Sequence, residues 1–470
     1  MTSAATSRAS LRSPGGALPL PVGWREIVVV GLILTYLWRF QDLSGIFAPF
    51  RLAALLTLAS WAYLAFQPNW PTFRAALSRP YAVLFLAWTV WIGIGVPFAL
   101  LPRYAWGFFS YTHFGNAMMF IFLLASIGVV RQYRVAVAAH CLGAAVIAAF
   151  YVKQGFPTLW TPLTGVDRND LSLMLNTALP FMVYFAFTLD NAWYRRMAAA
   201  GAFLFATCIV FSQSRGGFLT LALLALFIGV RFPKMKVWHR VVPIVALILG
   251  VALAPPEVQD RLRTILETED DYNVNDDLGR VQIWQRGLGY LMDSPITGVG
   301  ANNFVVAEGT LAVQSRMVRD WKASVAHNVF VEVGVETGFV GGFLYLTMIA
   351  TALIRLFRLR SRVLRAGLDE SWGMLADANF AAIAAFCTGG MFLSFGYSPF
   401  LFFLLAMAAG LERSAERAMR TAAPTPRRRK GRRVRRSGSG VILPAGVRRV
   451  DGHRTEVEGH GPVGPLIQIP

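Results

Sequence analysis

The stretch VFVEVGVETGFVGGFLYLTMIATALI, residues 329–354, decides the fold of this chain. It contains two acidic residues, Glu332 and Glu336, and no basic residue. A helix of about 20 mostly apolar residues is long enough to cross the hydrocarbon core of a bilayer. The stretch is therefore predicted to be a membrane-spanning helix.

The composition extends this interpretation to the whole chain. Of its 470 residues, 55% are hydrophobic and 15% are charged, whereas a soluble domain carries about 25% charged residues. The three cysteines lie inside apolar runs and have neither the spacing of a disulfide framework nor that of a metal site. A disulfide-stabilised protein, a zinc module and a soluble nucleic-acid binder are therefore excluded, although the net charge is +19.

Eleven further runs share the same apolar character. We therefore predict an all-α polytopic membrane bundle of about twelve transmembrane helices. The first run lacks a small-residue cleavage site and is predicted to be retained. The predicted spans are residues 26–41, 46–66, 81–101, 114–130, 135–152, 171–189, 197–212, 217–231, 238–254, 329–354, 374–395 and 398–411.

Lysine and arginine in short loops predict the orientation of the spans. If the spans alternate from a cytoplasmic N-terminus, the loops that are rich in basic residues all fall on the cytoplasmic side. These loops hold Arg74, Arg79, Arg131, Arg134, Arg195, Arg196, Arg231, Lys234, Lys236, Arg240, Arg355, Arg358, Arg360, Arg362 and Arg365. The long loop of residues 255–328 falls on the opposite, extracytoplasmic side. It has eleven acidic and seven basic residues.

The predicted organisation has three parts. A cytoplasmic N-terminal segment covers residues 1–25, the membrane domain covers 26–411, and a basic cytoplasmic tail covers 412–470. The tail is rich in Pro, Gly and Ser, with eight basic residues between Arg427 and Arg436, which predicts disorder. The tail either attracts anionic lipid headgroups or is a solvated segment that only fixes topology. We favour the second interpretation. Nucleic acid is not an expected partner.

The extracytoplasmic loop has amphipathic order of its own. Apolar residues recur at helical spacing in two segments, which predicts two helices on or near the membrane surface. The acidic stretch 267–277 between them resembles the start of a calcium loop, but its sixth and twelfth positions are Asp276 and Gln282 instead of Gly and Glu. A solvated acidic turn is therefore favoured over a metal site. Gly298 and Gly300 either approach a phosphate or form a loose turn.

Two arginines on the extracytoplasmic side are candidate functional residues. Arg215, in FSQSRGGF, lies at a tight junction between predicted spans, where a charged group is costly. The glycines that follow it allow close approach of the backbone. Arg215 either serves a function or extends toward the headgroups. Arg280 begins the second loop helix, where the helix dipole disfavours a cation. It either has an anionic partner or is an exposed loop arginine.

A further candidate is His327, in SVAHNVFVEVG at the outer end of the tenth span. Asn328 is predicted to cap that helix. Glu332 and Glu336 share one helix face at i, i+4 spacing. They either order a polar pocket beneath His327 or satisfy neighbouring helices. Arg168, in DRNDLS, is another outer-side arginine, and Asn169 or Asp170 is predicted to cap the helix there.

These motifs together resemble the O-antigen ligase family, which includes O-antigen ligases, related polymerases and protein O-oligosaccharyltransferases. The resemblance covers residues 167–345, and the basic tail has no part in it. It rests on the order of the blocks and on the long outer loop. The blocks are DRNDLSLMLNTALPF, FSQSRGGFLTL, GRVQIWQRGLGYLMDSPITGVGANNF and AHNVFVEVGVETGFVGGF.

The resemblance implies a polytopic glycosyltransferase of the bacterial inner membrane. Such enzymes move a glycan from a polyprenyl pyrophosphate carrier to an acceptor hydroxyl outside the membrane. By position, Arg215 and Arg280 correspond to the arginines that bind the donor pyrophosphate, and His327 corresponds to the catalytic histidine. The family needs no metal or cofactor. Arg168, Asn328, Glu332 and Glu336 are then supporting residues. The implied acceptor is a glycan, lipid A-core or a protein.

The alternative from another class is a transporter or flippase of lipid-linked sugars. A transporter places ionisable residues near mid-membrane, facing a cavity. In this sequence the centres of the spans are nearly free of charge, whereas the outer side holds the arginines and the histidine. This distribution favours chemistry at the outer surface. Ligase, polymerase and protein glycosyltransferase remain open within the family.

Overall fold

The computed structural model describes residues 14–43, 51–66, 70–156, 166–232, 279–314 and 324–422, together with Pro256 and Gln259. Apart from an isolated bridge between Gly16 and Leu189, these residues form no extended strands. Their helices are α1 Trp24–Leu32, α2 Leu52–Phe66, α3 Trp70–Leu77, α4 Pro80–Phe98, α5 Pro102–Ser126, α6 Val130–Lys153, α7 Arg168–Thr188, α8 Ala192–Phe211, α9 Arg215–Arg231, α10 Arg280–Asp293, α11 Phe304–Gln314, α12 Val329–Arg365, α13 Glu370–Gly390 and α14 Pro399–Ala422.

The all-helical membrane architecture predicted from the sequence is confirmed. Each predicted span except 238–254 coincides with a helix, and 238–254 lies outside the described residues. Among the described helices, α4, α5, α6, α7, α8 and α12 are long and apolar enough to cross a membrane. The chain is therefore a multi-pass membrane protein, and the total of twelve spans remains a prediction.

Several boundaries differ from the predicted spans. Predicted span 114–130 belongs to a helix that begins at Pro102 and contains a π-helical turn, Phe108–His113. Predicted span 374–395 ends at Gly390, and residues 391–398 form a connection that we call the 391–398 loop. The sequence of this loop is as apolar as that of a span. The loop is nevertheless not helical, and the backbone N–H of Gly396 donates to the Glu332 side chain of α12.

Helix α12 is longer than the predicted span 329–354 and is broken within it. Gly338 has φ +69° and ψ −177°, so the helical conformation is interrupted at this residue and resumes after it, up to Arg365. Only glycine adopts such a conformation at low cost. An ideal Cβ at Gly338 would lie 2.1 Å from the carbonyl oxygen of Ile296, so the outer loop fits directly against the break.

Ion pairs hold together one end of the bundle. Glu412 is 1% exposed and binds both Arg79 and Arg355, at 3.2 and 2.8 Å. Asp377, also 1% exposed, lies between Arg231 and Arg360. These four arginines come from three loops that the charge pattern assigned to one side. We call this region the basic end.

Helix α14 continues through the predicted tail boundary at residue 412 and ends at Ala422. Glu412, Arg413 and Ser414 are buried, and hydrogen-bond partners inside the bundle offset the cost of burying their polar groups. Arg413, for example, donates to the carbonyl oxygens of Leu124 and Ile127. The first part of the predicted tail is therefore helix, and residues 423–470 lie outside the described residues.

Two helices, α7 and α9, begin at candidate residues and show how far these lie from the opposite end of the bundle. Helix α7 begins at Arg168 and ends at Thr188, whose carbonyl oxygen accepts from Gly16 in the N-terminal segment. Helix α9 begins at Arg215 and ends at Arg231 in the Asp377 pair. Since a helix rises about 1.5 Å per residue, these starts lie roughly 25–30 Å from the basic end.

Candidate functional site

The start of α9 places Arg215 in a tightly packed corner. The Ser214 hydroxyl caps the helix by accepting from the backbone N–H of Gly217, at 3.1 Å. An ideal Cβ at Gly216 would lie 2.5 Å from Phe392, and one at Gly217 would lie 2.3 Å from the Ser172 hydroxyl of α7. The two glycines after Arg215 therefore allow α9 to pack against α7 and the 391–398 loop.

The start of α12 fixes His327. Asn328 caps the helix as predicted, because its side-chain oxygen accepts from the backbone N–H groups of Phe330 and Val331 at 2.9 and 3.3 Å. His327 has φ +49°, an uncommon conformation for a residue with a Cβ. Its backbone N–H donates to the Ser394 hydroxyl at 2.8 Å. The 391–398 loop thus holds the histidine backbone in this conformation.

The start of α10 brings Arg280 close to His327. Four residues after Arg280, the Trp284 indole N–H donates to the carbonyl oxygen of Ala326, at 2.8 Å. Ala326 directly precedes His327, so this bond fastens α10 beside the histidine. Gly287 allows further close contact, since an ideal Cβ there would lie 3.2 Å from Val331 of α12.

The surroundings lower the pKa of His327 below its ordinary value of 6.5. Partial burial is the largest cause, because it penalises the charged imidazolium. The positive charge of Arg280 lowers the pKa further, whereas Asp167 raises it. The imidazole is therefore neutral at neutral pH and can accept a proton.

Asp167, at the N-terminus of α7, completes the electrostatic surroundings of His327. It caps the helix by accepting from the backbone N–H groups of Asn169 and Asp170, at 2.7 and 2.8 Å. The cap predicted at Asn169 or Asp170 is therefore wrong by two or three residues. Arg168 is the first residue of the helix and is partly buried, directly after Asp167.

Glu332 and Glu336 bind backbone groups of two different segments. Glu332 accepts from the N–H of Gly396 in the 391–398 loop, at 2.9 Å. Glu336 is 3% exposed and accepts from the N–H groups of Asn302 and Phe304, at 2.7 and 3.0 Å. The two carboxyl groups therefore attach the 391–398 loop and the outer loop to α12.

The glycines of the outer loop pack against this helix. The backbone N–H groups of Val299 and Gly300 donate to carbonyl oxygens of α12 around its break, each at 3.0 Å. Gly298 has φ +71°, and an ideal Cβ there would lie 2.4 Å from the carbonyl oxygen of Val335. Gly298 and Gly300 therefore pack closely against α12 and do not form a loose turn.

Helices α10 and α11 are joined by a buried ion pair. The Arg286 guanidinium donates to both carboxylate oxygens of Glu308, at 3.0 and 2.8 Å. The Tyr290 hydroxyl donates to the same carboxylate at 2.9 Å. Glu308 is fully buried, and burial together with its charge raises the pKa of Tyr290. Helix α10 confirms the second of the two helices predicted in the outer loop, whereas α11 was not predicted. The first predicted helix, around residues 258–266, lies outside the described residues, apart from Gln259.

The helix starts that carry the candidate residues therefore meet at one end of the bundle. Arg280 and His327 are electrostatic neighbours, and the 391–398 loop contacts both His327 and the glycine after Arg215. Sequence reasoning missed Asp167 and Ser394. Asp167 carried a recognisable helix-cap signal, but the sequence gave no indication of Ser394, because residues 391–395 were assigned to a span.

The fold and this site define a multi-pass helical membrane protein with a cationic, histidine-containing site at the end opposite its basic end. Residues 200–346 match the model of a family described as O-antigen ligase, and over these residues the chain is similar to that family. This confirms the resemblance predicted from the sequence. Arg215, Arg280 and His327 all lie within the matched residues. None of the curated proteins matches the chain.

Proposed function

We propose that the protein transfers a glycan from a polyprenyl pyrophosphate carrier to an acceptor hydroxyl at the extracytoplasmic face of the bacterial inner membrane. The coarser function, of ligase or polymerase type in polysaccharide assembly, follows from the family. The observation that carries the proposal is the meeting of Arg280 and the proton-accepting His327 at one end of the bundle, with the start of α9 nearby.

The arginines are proposed to bind the donor pyrophosphate. As the bond between the sugar and the pyrophosphate breaks, negative charge develops on the departing oxygen. A guanidinium group donates two parallel hydrogen bonds to such oxygens and stays charged when it is partly desolvated. Arg215 and Arg280 supply two such groups, so the mechanism requires neither a metal nor a cofactor.

His327 is proposed to act as the general base. Its neutral ring accepts the proton of the acceptor hydroxyl while that oxygen attacks the anomeric carbon. One glycosidic bond forms, the bond to the pyrophosphate breaks, and polyprenyl pyrophosphate leaves. A single displacement of this kind inverts the configuration at the anomeric carbon. Arg168, Asn328, Glu332 and Glu336 support the site without contacting the reacting atoms.

The acceptor is a glycan, lipid A-core or a protein. A purified chain assayed with each acceptor class separates ligase, polymerase and protein O-oligosaccharyltransferase activities. Both termini are proposed to be cytoplasmic, and residues 255–328 are proposed to be extracytoplasmic. Reporter fusions at residues 275 and 440 are then expected to give opposite signals. Equal signals contradict this orientation.

The pyrophosphate proposal is tested by Arg215→Lys and Arg280→Lys in vesicles that contain the lipid-linked donor. Lysine keeps the charge but loses the paired hydrogen bonds, so both variants are expected to transfer less glycan. Arg103, an exposed arginine in the first turn of α5, provides the matched control as Arg103→Lys. Full activity in both site variants contradicts the proposed binding of pyrophosphate. Movement of the donor across the membrane without transfer supports the transporter alternative.

A further inference from the structure

Helix α10 is apolar on two faces in its C-terminal half. One face packs inward, where Ile283 and Leu291 are 2% and 7% exposed. The other face holds Leu288 and Met292 at i, i+4 spacing, and Ile296 follows three residues after the end of the helix. These three are 51%, 63% and 64% exposed. We call them the outer stripe. Exposing these apolar side chains to water has an unfavourable free energy.

The outer stripe continues directly into the exposed face of a membrane-spanning helix. The backbone N–H of Phe339, just after the break in α12, donates to the carbonyl oxygen of Pro295 at 2.8 Å. Beyond this point Phe339, Phe343 and Leu346 are each at least half exposed and share one face of α12. Exposed apolar residues on a spanning helix face lipid, so the stripe joins a lipid-facing surface.

A second exposed apolar region lies beside the same loop. The connection between α4 and α5 bonds to the outer loop, because the N–H of Leu100 donates to the carbonyl oxygen of Val299 at 2.9 Å. Since α4 and α5 are candidate spans, their connection lies at a membrane surface. The exposed apolar residues of this connection and of the adjoining helix ends include amphipathic rings, which are common at this depth. These residues are Phe98, Leu100, Leu101, Tyr104 and Trp106.

We propose that the outer stripe of α10 docks into the membrane, against the phospholipid acyl chains of the leaflet next to the site. The fit is that of an interfacial helix whose apolar face is buried at the boundary between headgroups and acyl chains. Continuity with the exposed face of α12 favours this occupant over a second copy of the chain or over water.

The docking sets the depth of Arg280. Eight residues separate Arg280 from Leu288, which corresponds to about 12 Å along the helix. Arg280 is therefore held within about 12 Å of the acyl-chain boundary, in or just above the headgroup layer. If the proposed function holds, this is the layer in which the pyrophosphate of a lipid-linked donor lies. The docking itself does not depend on that function.

The test measures the surroundings of nitroxide labels in vesicles of phosphatidylethanolamine and phosphatidylglycerol. Labels are attached at Met292→Cys and, separately, at Ile296→Cys, so that either variant suffices if the other does not insert. Phe343→Cys is the lipid-facing control, and Asp293→Cys, an exposed neighbour on α10, is the control outside the stripe. Wild-type protein treated with the same reagent gives the background from the native cysteines. Collision with oxygen, which concentrates in lipid, is compared with collision with a water-soluble nickel chelate.

The proposal predicts that the ratio of oxygen to nickel collisions at both stripe positions matches Phe343→Cys and exceeds Asp293→Cys several-fold. A ratio equal to that of Asp293→Cys overturns the proposal, because the stripe then faces water. Protection from both reagents, accompanied by spin–spin broadening, also overturns it and identifies a second copy as the occupant. The experiment does not measure glycan transfer, so its result can be interpreted even if the proposed function is wrong.

Discussion

Replacing Glu336 by alanine tests whether its buried carboxyl group holds the outer loop in place. The substitution removes the acceptor of two backbone N–H groups, those of Asn302 and Phe304. A buried donor left without a partner costs about 1–3 kcal/mol, so the loop loses roughly 2–6 kcal/mol of docking free energy. Glu336 is 3% exposed, and solvent therefore replaces little of this loss. The three backbone hydrogen bonds between the loop and α12 remain.

The expected result is a loosened loop and a displaced α10. Displacement of a catalytic group by about 1 Å can reduce a rate about a hundredfold. Hydrogen exchange of the 295–304 amides is expected to accelerate, and transfer by the reconstituted protein is expected to fall by a similar factor. Glu336→Gln keeps one acceptor oxygen and the shape of the side chain. Its exchange rates and transfer activity are therefore expected to lie between those of wild type and Glu336→Ala. An inserted Glu336→Ala protein with unchanged exchange and full activity refutes this role.

Three further predictions concern the helix break, the histidine and the basic end. Gly338→Ala is expected to lower thermal stability by more than about 2 kcal/mol, because φ is +69° and a carbonyl oxygen lies 2.1 Å from the new Cβ; Gly334→Ala, with open space at its Cβ, is the control, and equal melting contradicts the account. Asp167→Asn keeps the helix cap but removes a charge that raises the pKa of His327, so the acid limb of the activity profile is expected to move to lower pH. A shift to higher pH contradicts this sign. Glu412→Ala is expected to lower the thermal stability by about 1–3 kcal/mol, because it removes the carboxylate bound by the partly buried Arg355 and one of the two carboxylates bound by Arg79; an unchanged melting temperature contradicts a structural role for the pair.

The existence of the helices was predictable because a span requires only a long apolar run. The 391–398 loop was not, because its residues are as apolar as a helix and its conformation depends on distant partners. Ser394 bonds to His327, and Gly396 bonds to Glu332. Such bonds join residues more than 60 positions apart, and no local pattern reports them.

The break in α12 was hidden for a related reason. Gly338 lies in an apolar run in which glycine is common, and spanning helices tolerate it. Its conformation becomes necessary only because Ile296 of the outer loop packs against it. The candidate residues Arg215, Arg280 and His327 were found through motif order, whereas the influence of Asp167 on the histidine required the three-dimensional arrangement.

The central claim is that His327 accepts a proton during glycan transfer. The most direct measurement is the transfer rate of wild type and His327→Gln in vesicles, with the lipid-linked donor and its acceptor, after donor binding and insertion have been shown to be equal. General base catalysis contributes about a hundredfold to ten-thousandfold, so the glutamine variant is expected to lose transfer by that factor while it still binds donor. A glutamine variant that transfers glycan at nearly the wild-type rate contradicts the claim and leaves His327 with a structural role.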